Sequence, residues 1–295
     1  MKSSPLRLRS FSKVNLALDV LGRRRDGYHE LRTVYQSIDL SDELEFHPCP
    51  ELRLECVGLP GVPQEQNVVW KAACALAEAV SFPGGVRIVL RKTVPFGAGL
   101  GGGSANAAAT LLGLCRFWGT EPPPGELDRI AAAIGSDVPF FLHGGTALGV
   151  GRGEEIYPLP EIPRSYLVVV FPGIRIPTAE AYKSLNLGLT SLRSTHRIQR
   201  FCSLLRSGSD FYAAGYNDFE ASVLSAWPAT LEAKNLLREH GAIAAMLSGS
   251  GSSVFGFFSD EESALAASRA ISRETWRVFP AKTLSSREYL LRMFG

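Results

Sequence analysis

The stretch PFGAGLGGGSANAA, residues 95–108, constrains this chain more than any other. Five of the seven positions from Gly97 to Gly103 are glycine, and an alanine-rich run follows at once. Gly97, Gly99, Gly101, Gly102 and Gly103 let the backbone take positive φ and approach a ligand with no Cβ in the way. The N–H groups of such a loop, with the start of a following helix, make an anion site. The spacing Gly97-x-Gly99-x-x-Gly102 also matches the dinucleotide fingerprint, a weak signal by itself. Its context fails. A Rossmann unit needs a second parallel strand ending in an acid about twenty residues on. Here that distance falls in the proline-rich WGTEPPPGE, which leaves Glu121 without a strand to carry it. A Walker A loop fails as well, because Gly102-Gly103-Ser104 has no lysine before the hydroxyl. A phosphate-holding loop of another kind remains. It runs into a helix predicted from about Ser104 to Phe117, with Ser104 at the N-cap. Ser104 can also offer its hydroxyl to phosphate or to a phosphate-bound Mg2+, and Ala105, Ala107, Ala108 and Ala109 let the helix pack tightly.

Around the loop the hydrophobic period switches between strand and helix, an α+β order in both halves. Leu6, Leu8, Val14, Leu16, Leu18 and Val20 alternate as strand residues. GRRRDGYHE (22–30) is a charged turn, and further strands are predicted at ELEFH and LRLECV. NVVWKAACALAEAV (67–80) reads as a helix capped by Asn67, and VRIVLRKTVP (86–95) as a strand ending at Pro95. GELDRIAAAIG is a helix stopped by Gly135. The proline-punctuated link GRGEEIYPLPEIPR (151–164) marks a boundary and sets domains at 1–158 and 159–295. Beyond it SYLVVVF is a buried strand and 178–240 is mostly helical in pattern. The small-residue loop SGSGSS (248–253) lies between two strands, and a helix at 260–272 and a strand in WRVFPAKTL finish the chain.

At 295 residues, 45% hydrophobic and 20% charged, the chain has enough apolar material for two cores. A net charge of +2 makes no broad field for nucleic acid or a membrane. The basic start MKSSPLRLRS lacks the apolar segment of a signal peptide, and no run is long enough to span a bilayer. Cytoplasmic residence is the expectation. The five cysteines, at 49, 56, 74, 115 and 202, form no CxxC pair and have no histidine at zinc spacing. They read as reduced core thiols, and no metal cage made by the protein alone is expected.

Taken in order, SFSKVNLALDVLGRRRDGYHEL, QNVVWKAA, the glycine loop, GSDVPFFLHGGTALGVGRGE, FPGIRIPTAEAY and LSGSGSSVFGFF resemble the motifs of the GHMP kinases. These are small-metabolite kinases with neither a Walker A loop nor a protein-kinase fold. The likeness runs through nearly the whole chain, with one departure: Asn106 stands where some relatives carry Asp. The resemblance implies an α+β, two-lobed GHMP kinase fold. Its N-terminal lobe would be ribosomal-protein-S5 domain-2-like and its C-terminal lobe ferredoxin-like, with ATP and substrate in the cleft between. It also implies the reaction, in which ATP, with Mg2+, phosphorylates the 2-hydroxyl of a CDP-linked methylerythritol for isoprenoid synthesis. The partners are then small molecules, and a monomer and a homodimer are both open. Another substrate of the same family (mevalonate, homoserine or a sugar) and a non-catalytic nucleotide-binding relative are the alternatives.

The resemblance assigns roles by position. Pro95, Phe96, Gly97, Ala98, Gly99 and Leu100, then Gly101, Gly102, Gly103, Ser104 and Ala105, would hold ATP. Asn67 would lie near the adenine or ribose, with helix capping an equal reading. Lys13 in SKVN and Asp137 in GSDVPFF would be the catalytic pair. Phosphoryl transfer asks for alignment and charge stabilisation more than covalent help, so Asp137 would orient the hydroxyl first and take its proton late, while Lys13 steadies negative charge. Asn15, two residues along a strand, faces the same side as Lys13 and would bind substrate or brace the lysine. Tyr28 and His29 provide an aromatic face and an imidazole suited to a cytosine, and Tyr182 in PTAEAY would close the sandwich from the second domain. Ser248, Gly249, Ser250 and Gly251 would close on the methylerythritol and phosphate end. Arg23, Arg24 and Arg25 read as a solvated turn or a diphosphate clamp.

Overall fold

The computed structural model describes residues 5–58, 62–81, 84–185, 193–208 and 210–295. The first four residues of the basic start, and 186–192 and 209 of the predicted helical stretch, lie outside the described residues. The N-terminal alternation becomes β1 (Leu6–Arg23), and β2 (His29–Pro48) runs back along it antiparallel after the charged turn. The far edge of β2 serves two partners. Residues Leu31–Gln36 pair with β5 (Thr146–Gly151) and Glu43–Pro48 with β4 (Val86–Arg91). β3 (Arg53–Val57) extends one side of this sheet and β6 (Glu155–Pro158) the other. The second sheet has the order β11-β7-β10-β9, from β7 (Tyr166–Phe171), β9 (Ala244–Leu247), β10 (Val254–Phe258) and β11 (Arg277–Lys282). The short β8 (Tyr216–Asn217) crosses back to pair with β1.

Helices α1 (Val68–Ala79), α2 (Gly102–Trp118), α3 (Glu126–Ile134) and α4 (Phe140–His143) belong to the first lobe. α5 (Thr178–Ser184), α6 (Arg193–Ser207), α7 (Glu220–Ala226), α8 (Pro228–Glu239) and α9 (Glu261–Ile271) follow in the second half. α10 (Ser286–Met293) returns to the first lobe and buries Tyr289 and Met293 in its core. β1 is buried on both faces, so the polar residues of its alternation, Ser10, Ser12, Lys13, Asn15 and Asp19, are buried as well. Leu8 and Phe11 join the α1–α2 core, whereas Val14 and Leu16 share a core with Leu167, Val169 and Phe255 of the second sheet. The small residues of α2 let it lie close on the sheet, and a Cβ at Gly113 would stand 2.6 Å from the Phe46 ring.

Several boundaries differ from the sequence reading. The strand predicted to reach Pro95 ends at Arg91, because Asp42 Oδ1 accepts from Thr93 N–H at 2.6 Å and Val94 N–H at 2.8 Å and ends the ladder. α2 starts before Ser104. Gly101, at φ 67°, is its N-cap, and Ser104 lies inside the first turn without capping. Asn67 does cap α1, accepting from Val69 N–H at 3.0 Å. The short α4, the β5–β6 hairpin and the closing α10 are additions to the sequence reading. α10 carries a capping box between Ser285 and Glu288, but its eight residues are too few for a firm helical period.

Candidate active site

The glycine loop is held from both sides. The β1–β2 register slips between Phe11 and Lys13, and the Lys13 N–H donates instead to the Leu100 carbonyl at 3.0 Å. On the opposite side Ser248 Oγ donates to the Gly99 carbonyl at 2.9 Å, and Ser253 N–H to the Ala98 carbonyl at 3.2 Å. The glycine-rich loops of the two lobes therefore touch. A Cβ on Gly101 would stand 2.7 Å from Phe141 Cζ and 3.2 Å from Lys13 Cε. Glycine is required there for protein packing, beyond any clearance for a ligand. The first N–H groups of α2 have no intrahelical acceptors and carry the positive end of its dipole, and Gly102, Gly103 and Ser104 line the cleft, an arrangement suited to an anion.

Lys13 is 3% exposed. Its Nζ donates to Asn15 Oδ1 at 2.6 Å and lies 3.5 Å from Asp137 Oδ2. Asn15 is fixed in turn: its Nδ2 donates to Thr33 Oγ1 at 2.7 Å, and Thr33 Oγ1 donates to the Ala17 carbonyl at 2.8 Å. Burial pulls the Lys13 ammonium below the ordinary lysine range, and the Asp137 charge offsets part of that shift. Asp137 comes from the turn after α3, where Val138 N–H donates to the Gly135 carbonyl at 3.0 Å. Its other oxygen, Oδ1, accepts from the Tyr35 hydroxyl at 2.9 Å.

At the far end the Tyr182 ring stacks on His29, with centroids 4.2 Å apart and planes 12° from parallel. Phe219 meets Tyr182 edge-on at 4.9 Å. Burial, then the Arg23 charge, lowers the His29 pKa, which favours the neutral ring with one donor and one acceptor nitrogen. One cavity of about 470 Å3 joins these parts. It is lined by Gln66 and Asn67, the glycine loop, Lys13 and Asp137, and Tyr182 and Phe219. Lys92 also lines it, paired with the fully buried Asp42 and donating to Asn106 Oδ1 at 2.9 Å. Among the described residues no group of three or more His, Cys, Asp or Glu is placed to hold a metal ion.

Residues 67–145 match the GHMP kinases N terminal domain and residues 190–278 the GHMP kinases C terminal domain. The 4-diphosphocytidyl-2-C-methyl-D-erythritol kinase of Syntrophus aciditrophicus is 41% identical over 281 residues, covering 95% of this chain and 99% of the relative. The chain belongs to the 4-diphosphocytidyl-2-C-methyl-D-erythritol kinases, within the GHMP kinase family. The Moorella thermoacetica kinase of the same name is 45% identical over 88% of this chain and 92% of its own length. A crystal structure of 4-(cytidine 5'-diphospho)-2C-methyl-D-erythritol kinase superposes with a TM-score of 0.79 at 34% identity, covering 94% of this chain and 99% of that one. The two-lobed α+β architecture is that of the GHMP kinases.

Within this kinase fold, Lys13, Asn15, Asn67, Asp137 and Tyr182 line the cavity, as do the loop from Pro95 to Ser104 and Gly249, Ser250 and Gly251. Ala105 and Ser248 are buried and do not line it. Tyr28 and His29 do not line the cavity. Tyr28 is 54% exposed under Arg152, whose Cζ is 5.0 Å from its ring centroid, and His29 is the ring against Tyr182. The turn holds His29 and Tyr28 on different sides, which the shared motif DGYHE cannot convey. Arg24 is engaged within the turn by Asp26 and Glu30. Tyr35, Thr33 and Lys92 carry no signal in the sequence. Each is an ordinary strand or strand-end residue until the fold brings its partner across.

Proposed function

We propose that Lys13 and Asp137 carry the transfer of the ATP γ-phosphoryl group to the 2-hydroxyl of 4-diphosphocytidyl-2-C-methyl-D-erythritol, giving the 2-phosphate and ADP in non-mevalonate isoprenoid precursor synthesis. The observation that carries this reading is the position of the pair. It lies in one cavity with the start of α2, suited to phosphates, and with Tyr182, whose ring is backed by His29 and suited to a base. ATP extends from Asn67 and Gln66 with its phosphates on the α2 N–H groups. Asp137 orients the acceptor hydroxyl and receives its proton as the phosphoryl group departs. Lys13, held by Asn15, stabilises charge on the transferred group. This division suits a loose transition state, in which positioning and electrostatics supply most of the acceleration.

The donor set fits Mg2+ carried in by ATP, because Ser104 offers one hydroxyl at the phosphate end and Mg2+ ordinarily keeps phosphate and water ligands. Bound there, the ion neutralises phosphate charge. The cytosine stacks at Tyr182, whose ring is backed by His29, and Gly249, Ser250 and Gly251 close on the methylerythritol. Every group in this scheme comes from one chain, so it operates in a monomer or a homodimer, and we place it in the cytoplasm, where ATP is supplied. The test is turnover at saturating ATP with 4-diphosphocytidyl-2-C-methyl-D-erythritol, mevalonate and homoserine side by side. Preference for the cytidylylated substrate supports the reading, and equal or greater turnover of either of the others overturns it.

A further inference from the structure

We propose that Tyr35 is a positioning residue for phosphoryl transfer, locking the Asp137 carboxylate so that Oδ2 alone is presented to the acceptor hydroxyl. The inference rests on the reading of Asp137 as the group that orients that hydroxyl. Asp137 is partly open to the cleft, its side chain 31% exposed, and an unsupported carboxylate there would rotate among several orientations. Its two oxygens are not equivalent in the structure. Oδ2 faces Lys13 at 3.5 Å, and Oδ1 accepts from the Tyr35 hydroxyl at 2.9 Å.

The surroundings of Tyr35 are shaped for that one contact. The residue is 2% exposed in the middle of β2, opposite Asn15 on β1 and Ala147 on β5. Phe140 packs against its ring at 4.8 Å between centroids, and Lys13 Nζ lies 5.4 Å from the ring centre. Glycines clear the rest of its space. A Cβ at Gly149 would lie 2.5 Å from Tyr35 Cε2, and one at Gly153 would lie 2.5 Å from its hydroxyl oxygen. The Gly153 carbonyl is a second acceptor at 3.4 Å, so the single hydroxyl hydrogen is directed to the nearer carboxylate. Burial, then the Asp137 charge, raises the phenol pKa well above its ordinary value, which keeps the hydroxyl a donor wherever the enzyme works. Tyr35 thus contacts Asp137 through its hydroxyl and lies beside Lys13 through its ring, at the wall of the cavity.

The experiment is a double-mutant cycle with Tyr35→Phe and Asp137→Asn, measured with ATP and 4-diphosphocytidyl-2-C-methyl-D-erythritol. Tyr35→Phe keeps the ring packing and removes only the donor. Its expected effect is a kcat lower by about tenfold, with both KM values within about twofold, the scale of one lost hydrogen bond to a charged group. Asp137→Asn alone is expected to lower kcat by roughly 10²-fold. In that background Tyr35→Phe should change kcat by less than about twofold, because the group it acts through has been altered. Thermal melts of all three variants accompany the kinetics. A wild-type kcat in Tyr35→Phe overturns the proposal while leaving Asp137 its role. The same fold-loss in both backgrounds, or a loss confined to KM, assigns Tyr35 a structural or binding role and also overturns it. Full activity of Asp137→Asn overturns this inference and the catalytic reading together.

Discussion

Ser248 Oγ donates to the Gly99 carbonyl at 2.9 Å, and this bond joins the glycine-rich loops of the two lobes at the cleft. The approach is so close that a Cβ on Gly99 would lie 2.1 Å from the Ser248 carbonyl oxygen and 3.0 Å from that of Gly251. Gly99 also sits at φ 77°, which side chains rarely adopt. Gly99→Ala must therefore push the loops apart. The expected cost is about 2 kcal/mol of stability, and misplacement of the phosphate site should lower kcat/KM by about tenfold or more. Urea denaturation and steady-state kinetics check both. Native values would mean that the loops adjust without consequence.

Lys13 is expected to set the alkaline limit of activity. Burial disfavours its charged form, so its pKa in the fold lies below the ordinary value of 10.5 despite the Asp137 charge. The folded protein releases this proton at lower pH than the unfolded chain does. Its contribution to stability therefore increases as pH climbs from the folded pKa towards 10.5. Activity has the opposite sign, because the charged form is the one proposed to act. The kcat/KM profile of the free enzyme should fall on its alkaline side before pH 10.5. Lys13→Arg, which stays charged, should remove that limb at a reduced kcat. A limb unchanged by Lys13→Arg would assign it to another group.

Asn106 is adapted to a neighbouring charge. Its Nδ2 donates to Asp42 Oδ2 and to Ser10 Oγ, both at 2.9 Å, and its Oδ1 accepts from Lys92. Asn106→Asp would replace the donor to Asp42 with a second carboxylate beside one lysine. The expected loss is about 3 kcal/mol at neutral pH, read as a lower denaturation midpoint. A variant with unchanged stability would show that the cluster accepts an acid at both positions.

Variants at the proposed base end should separate substrate binding from ATP binding. Tyr182→Ala should raise the KM for the cytidylylated substrate by about 5- to 150-fold, from the energy of one base–aromatic stack. Tyr28→Ala should raise it less, because that ring is more than half exposed in the structure. The KM for ATP should stay within about twofold in both. A Tyr182→Ala variant that lost ATP affinity instead would place the adenine at this end.

Short-range chemistry in the sequence determined the glycine loop, the Asn67 cap and the alternation of β1. Each depends on backbone preferences or side-chain period within a few residues, so local reading suffices. It determined the Lys13–Asn15 contact too, because residues two apart on a strand share a face. Tertiary structure alone decided that α2 begins at Gly102, where Gly101 must fit between Phe141 and Lys13. It also placed His29 against Tyr182, and Tyr35 on an oxygen of a residue 102 positions away. β2 turns one face to each core and changes partner along its edge. Which of its polar residues meets the cleft is set by that register, and nothing within the strand's own sequence encodes the partner that arrives from across the fold.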